Sequence, residues 1–381
     1  MLTALINGRV MTGGGAAQDC AVLIRNGRIE ALVSAAEVPA GAARHDLNRG
    51  LLLPGFIDTQ VNGGGGVLFG DAPSVETLRT ISKAHAHFGT TAFLPTLISG
   101  ADTSIAAAIA AVDAAIQDKV PGVIGIHIEG PFLNPERKGI HDAANFRPLD
   151  DGALALLTSL KRGKTLVTLA PEQTTPKTIA ALAKAGVIVA AGHTDATYGE
   201  IGAALASGLT GFTHLFNAMS PLRAREPGAV GAALDDAASW CGIIVDGRHV
   251  DPVTLRVALA AKGAEKLMLV TDAMPSVGSK TKSFVLQGRT ITVEGGVCIA
   301  PDGTLAGCDL DMASAVRNAM AMLRVNLAGA VQMASASPAA FLGVSAEMGA
   351  VAAGQRANLV LVSDTVDVLQ TWIDGQPQRG A

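Results

Sequence analysis

Eight short apolar runs, each followed by a stretch of helical spacing or alanine-rich composition, constrain this chain more than any other feature. They are LLLPGFIDTQ (51–60), TAFLPTLI (91–98), GVIGIHIEG (122–130), TLVTLAPE (165–172), GVIVAAGHTD (186–195), GFTHLFNAM (211–219), CGIIVDGRHV (241–250) and KLMLVTDAM (266–274). Stretches between them, such as SVETLRTISKAHAHFG and TPKTIAALAKAG, read as amphipathic helices that stop at glycine. Strand and helix alternating eight times predict a (β/α)8 TIM barrel, an α/β fold whose chemistry gathers on the loops after the carboxyl ends of the strands.

The two ends of the chain read differently. From Leu2 to Leu53 short β-type runs alternate with turns, Asn26-Gly27 among them, and ANLVLVSDTVDVLQTWIDGQPQ near the other end has the same character. Neither piece has enough strands to bury a face alone, so both are expected to form one small β-sandwich domain. The expected division is 1–53 and 345–381 for the sandwich and 54–344 for the barrel.

Composition narrows the partners. With 29 basic and 33 acidic residues the net charge is -4, and no basic run stands out, which argues against nucleic acid and for a small molecule. No apolar run reaches the roughly 18 residues of a membrane span, and MLTALINGRVMTGG lacks the features of a secretory signal. A cytoplasmic location is expected. Cys20, Cys241, Cys298 and Cys308 show no CxxC pair and are read as reduced packing residues.

Polar residues cluster at the ends of the runs: Asp58 and Gln60, Glu129, His193, His214 and Asp272. Packed in a core, so many would have to satisfy one another without water. Glu129, His193 and His214 make a common three-ligand set for a catalytic zinc-type ion, and Asp272 would then lie near its water as a general acid/base or as a group that orients a ligand. His127, two residues before Glu129 on the same strand face, is expected behind the ligands. His85 and His87 form an HxH on a helix, where residues two apart point to different sides, and are read as solvated. The segment KSFVLQGRTITVEGGVCIAPDGTLAG reads as a β-hairpin on the catalytic side, placed to cover it.

The stretches PGFIDTQVNGGGG, GIHIEGPFLNPERKGIH, AGHTDA, THLFNAM, REPG, DGRHV and LVTDAM, followed by LAGC and GQRANLVLV, give the chain its likeness to a known family. It resembles the amidohydrolase superfamily, and within it the N-acetylglucosamine-6-phosphate deacetylases. That resemblance implies hydrolysis of the acetamide of a phosphorylated amino sugar, with Asp272 as general acid/base on a metal-bound water. It assigns His141 to the amide or the sugar hydroxyls, Asn217 and Ala218 to the sugar or its phosphate, Arg225 and His249 to the 6-phosphate, and Leu305, Ala306, Gly307 and Cys308 to the closure over the ring. It further implies a homodimer in which one subunit can complete the other's site.

Many members of the superfamily carry HxH at the end of the first strand, where this chain has Gln60 and Asn62. Neutral amides are poor ligands beside imidazole, so one divalent metal per subunit is expected, zinc first, with iron, manganese or cobalt as alternatives. Gln60 and Asn62 would then position water or the ligands. Gly63 to Gly66 are read as a tight turn. A cyclic-amide hydrolase, a deacetylase for a different amino sugar and a metal-free sugar-sensing barrel are the rival readings. The last predicts a missing ligand or acid/base, and none is missing.

Overall fold

The computed structural model describes residues 1–12 and 17–378. Its centre is an eight-stranded parallel sheet of β1 (Phe56–Val61), β2 (Thr90–Ile98), β3 (Gly125–Glu129), β4 (Lys164–Leu169), β5 (Ile188–Ala191), β6 (Leu209–Phe212), β7 (Trp240–Ile243) and β8 (Leu267–Leu269), paired in that order. The sheet closes on itself just past β8. Asn62 N–H donates to Ala273 O across 2.9 Å, and the Asp58 carboxylate accepts the Thr271 hydroxyl at 2.5 Å. All eight runs contribute a strand.

The first run contributes two. Leu51–Pro54 belongs to a different sheet, and the chain changes direction at Gly55, where a Cβ would lie 2.2 Å from the Thr91 hydroxyl. Only a residue without a side chain lets these backbones pass.

Oxygen-bearing caps set the starts of several helices that surround the barrel. Ser74 begins α1 (Val75–Ala86), Asp150 begins α3 (Asp151–Leu157) after α2 (Asp102–Gln117), and Thr175 begins α4 (Pro176–Lys184). Thr197 and Glu200 form a capping box on α5 (Tyr198–Ala206). Gly89, Gly186 and Gly208 follow α1, α4 and α5 with φ of 84°, 86° and 103°. Helix α3 stops well short of Gly163, because the Thr158 and Ser159 hydroxyls take carbonyls of its last turn.

The terminal segments build two sheets. One joins 376–378, 368–373, 359–362, 51–54, 9–11 and 17–19; the other joins 28–33, 21–25, 2–6 and 43–46. Leu5, Val22, Ile24, Leu52, Leu359, Leu361 and Trp372 fill the space between them. Leu51, Leu53, Val360 and Val362 point the other way and join the barrel core. Strand alternation therefore makes one sheet serve two cores, which is why Leu51–Pro54 and Leu359–Val362 are buried throughout.

A further antiparallel sheet, Ser283–Leu286, Arg289–Glu294, Val297–Ile299 and Leu305–Cys308, stands over the carboxyl ends of the barrel strands. Leu286, Ile291, Cys298 and Ala306 pack there against Leu68 and Met274. No helix among the described residues is long and apolar enough to cross a membrane.

Candidate active site

Glu129 is the last residue of β3, while His193, His214 and Asp272 each follow the end of a strand by two or three residues. The last three hold left-handed φ angles of 49°, 33° and 50°. Such backbone is costly for residues with a side chain and persists where surrounding structure imposes it. Here it turns each side chain back over the barrel mouth.

These side chains meet. His214 Nε2 lies 2.9 Å from Glu129 Oε1 and 3.1 Å from His193 Nε2, and His193 Nε2 lies 3.3 Å from the same oxygen. His193 Nδ1 faces the Arg137 carbonyl at 2.8 Å, so Nδ1 carries the proton and the Nε2 lone pair points into the cluster. Burial works to raise Glu129, but its bonds to His193 and His214 hold it well below the ordinary carboxylate range. Burial likewise works to lower His214, and Glu129 raises it. A proton on His214 thus sits among one carboxylate oxygen and two imidazole nitrogens, where a divalent cation would replace it. The donor set fits a zinc-class ion. Among the described residues none hydrogen-bonds the buried His214 Nδ1.

Gln60 bridges this cluster and Asp272, and Asn62 holds Asp272. Gln60 Nε2 donates to Glu129 Oε2 at 3.2 Å and to Asp272 Oδ1 at 3.2 Å, and Asn62 Nδ2 donates to the same Asp272 oxygen at 2.7 Å. Burial, then the charge on Glu129, pushes Asp272 up to about 6. His127 sits below the cluster between the Thr96 and Thr168 hydroxyls at 3.3 and 2.7 Å, and burial takes it down to about 4.

The cluster opens into a cavity of about 240 Å³ walled by His141, Asn217, Ala218, His249, Leu305, Ala306 and Gly307. That size suits a small molecule. His141 Nδ1 receives the Ser99 hydroxyl at 2.7 Å and the Ser99 N–H at 3.4 Å, so its proton sits on Nε2. Burial pushes His141 down to about 3, which leaves it a neutral donor. Cys308 is buried behind the wall, and its N–H holds the Asp272 carbonyl at 3.0 Å. Arg225 is not brought to this cavity; it is exposed on the loop between Ser220 and Gly228.

The reading of His85 as solvated is corrected. His87 is exposed, but His85 is fully buried with Nε2 2.9 Å from the Gly63 carbonyl. Two residues apart on one helix, one faces solvent and the other braces the glycine turn, where Gly65 and Gly66 have φ of 63° and 90°. Sequence reasoning also missed Asp246, whose Oδ2 lies 2.6 Å from His249 Nδ1. Its place three residues before His249 was the available signal. The Arg137 carbonyl and Ser99 gave none.

Known proteins share this arrangement of chain. The Amidohydrolase family profile matches residues 51–377, and the NagA composite domain matches residues 2–52. An N-acetylgalactosamine-6-phosphate deacetylase of a Shewanella species is 44% identical over 370 residues, 97% of this chain and 94% of that one. The crystal structure of N-acetylglucosamine-6-phosphate deacetylase from Pasteurella multocida superposes with a TM-score of 0.96 at 34% identity, covering 100% of both chains. A mutant of the Mycobacterium smegmatis N-acetyl-D-glucosamine-6-phosphate deacetylase, in complex with N-acetyl-D-glucosamine-6-phosphate, superposes at 0.89 with 32% identity and 99% coverage of both.

Proposed function

Because this chain belongs to the amidohydrolase family, we propose that it hydrolyses the acetamide of N-acetylglucosamine 6-phosphate, giving glucosamine 6-phosphate and acetate. The observation that carries this reading is the convergence of Glu129, His193 and His214 beside Asp272, with Gln60 bonded to both carboxylates.

Glu129, His193 and His214 would hold one divalent cation, zinc before iron, manganese or cobalt. When bound, such a cation supplies Lewis-acid polarisation of the amide carbonyl and a more acidic water. Asp272, fixed by Asn62 and Gln60, takes the proton of the attacking water. His141, through its Nε2–H, donates to the amide oxygen as negative charge builds on it. Asp272 then returns the proton to the nitrogen as the C–N bond breaks, so amine and acetate leave in balance.

Asn217 and Ala218 would contact the sugar, and Leu305 to Cys308 would close over it. His249 would take the 6-phosphate together with Arg225. Because Arg225 is exposed and away from its own chain's cavity, it is assigned to the neighbouring subunit of a homodimer.

A second reading exchanges only the sugar epimer. The 44% identical relative is named for N-acetylgalactosamine 6-phosphate, which differs at one ring carbon and presents the same acetamide and phosphate. Acetate release from both epimers, each with and without its 6-phosphate, decides. A larger kcat/KM for the glucosamine compound supports the first reading, and a larger one for the galactosamine compound replaces it. Equal rates without phosphate refute both.

A further inference from the structure

Beside the cavity, Asp246 and His249, from the loop after β7, meet Cys308, from the last strand of the covering sheet. Cys308 Sγ lies 3.0 Å from Asp246 Oδ2 and 3.6 Å from His249 Nδ1, and Asp246 Oδ2 lies 2.6 Å from His249 Nδ1. The side chains of Asp246 and His249 are 5% exposed, and the thiol is buried. None of the three belongs to the Glu129 cluster. One sulfur, one nitrogen and one oxygen are therefore assembled within 4.8 Å of one another, away from bulk water, with His249 at the wall of the cavity.

The donor types suit a thiophilic divalent ion, whose sulfur and nitrogen ligands stand about 2.3 and 2.0 Å from the metal. Two such ligands in a tetrahedral shell are roughly 3.5 Å apart. Sulfur and nitrogen already have that separation, and the carboxylate oxygen, now 3.0 and 2.6 Å from them, would draw back as the ion enters. Cys308 contributes what a hard-ion site lacks, since a thiolate favours zinc and cadmium over magnesium or calcium.

We propose that Asp246, His249 and Cys308 form a second cation site for zinc-class ions. The sulfur–metal bond forms as the thiol proton leaves to solvent. His249 binds through Nδ1, with its proton on Nε2, and Asp246 exchanges that hydrogen bond for the metal.

The test titrates cadmium ion into protein already carrying one equivalent of zinc, following the ultraviolet sulfur-to-cadmium charge-transfer band and the bound cadmium. The wild type is expected to develop the band as a further equivalent binds, and Cys308→Ser to show neither. Asp246→Asn keeps the thiol and saturates at about tenfold higher cadmium. Glu129→Gln disables the other cluster and keeps the band, so failure of the proposed catalytic centre is read separately from failure of this site. Absence of the band in the wild type, or its survival in Cys308→Ser, overturns the site. X-ray absorption on cadmium-bound wild type covers misfolding of the variants, because a shell without sulfur overturns it equally.

Discussion

Asn62 Nδ2 donates to Asp272 Oδ1 across 2.7 Å. This bond stabilises the ionised carboxylate and so opposes the burial and the Glu129 charge that push Asp272 up to about 6. Turnover needs the ionised form, so kcat/KM should fall as pH drops through the Asp272 pKa, which a bound cation moves below its metal-free position. Asn62→Ala should move that acid limb to higher pH and lower kcat by about tenfold. A pH–rate profile checks it, and an unmoved limb contradicts the role given to Asn62.

Asp272→Asn keeps the shape and removes the proton carrier. Metal content and substrate affinity should persist while kcat falls by about 10²–10⁴. Calorimetric binding beside acetate release checks this. A variant of near-normal kcat rules out Asp272 as acid/base.

Asp58 closes the barrel seam against Thr271, and burial pushes it up to about 7. Its unfolded value is about 3.9. The folded chain holds this proton more tightly, so the contribution to stability is fully present below about pH 3.9 and is lost as pH rises through about 7. Asp58→Asn should therefore gain stability relative to wild type as pH rises across that window, while Asp58→Ala loses about 1–3 kcal/mol. Denaturant unfolding at several pH values measures both. A pH-independent difference between Asp58→Asn and wild type contradicts the buried protonated carboxyl.

If Arg225 serves the neighbouring subunit, Arg225→Ala and Asp272→Asn are each inactive alone but complement when mixed in one dimer. Random assortment should restore about a quarter of the wild-type rate, because half the sites of each mixed dimer are intact. No restoration on subunit exchange contradicts the shared site.

How much was legible depended on what each residue's signal was made of. The barrel was readable because Ile126, Val189 and Ile243 sit in apolar runs whose polar residues come last, and those residues mark the catalytic rim. The split at Gly55 was not, since LLLPGFIDTQ is continuously apolar whether one strand or two. His85 shows the same blindness: its burial is set by the Gly63 carbonyl, which the helix sequence does not contain. Ser99 acts through a side chain near in space but distant in chain, 42 residues from His141, whereas Asp246 stands three residues before its partner His249 and was open to reading. Arg225 remained a matter of resemblance, because nothing in its own chain's cavity calls for it.

The central claim is tested most directly by titrating zinc into metal-free protein while following acetate release from N-acetylglucosamine 6-phosphate. Activity should rise in proportion to added zinc and break at one equivalent per chain, with Glu129→Gln showing neither the break nor turnover. Full turnover by the metal-free protein, or a Glu129→Gln variant that binds zinc and works as well as wild type, would contradict it.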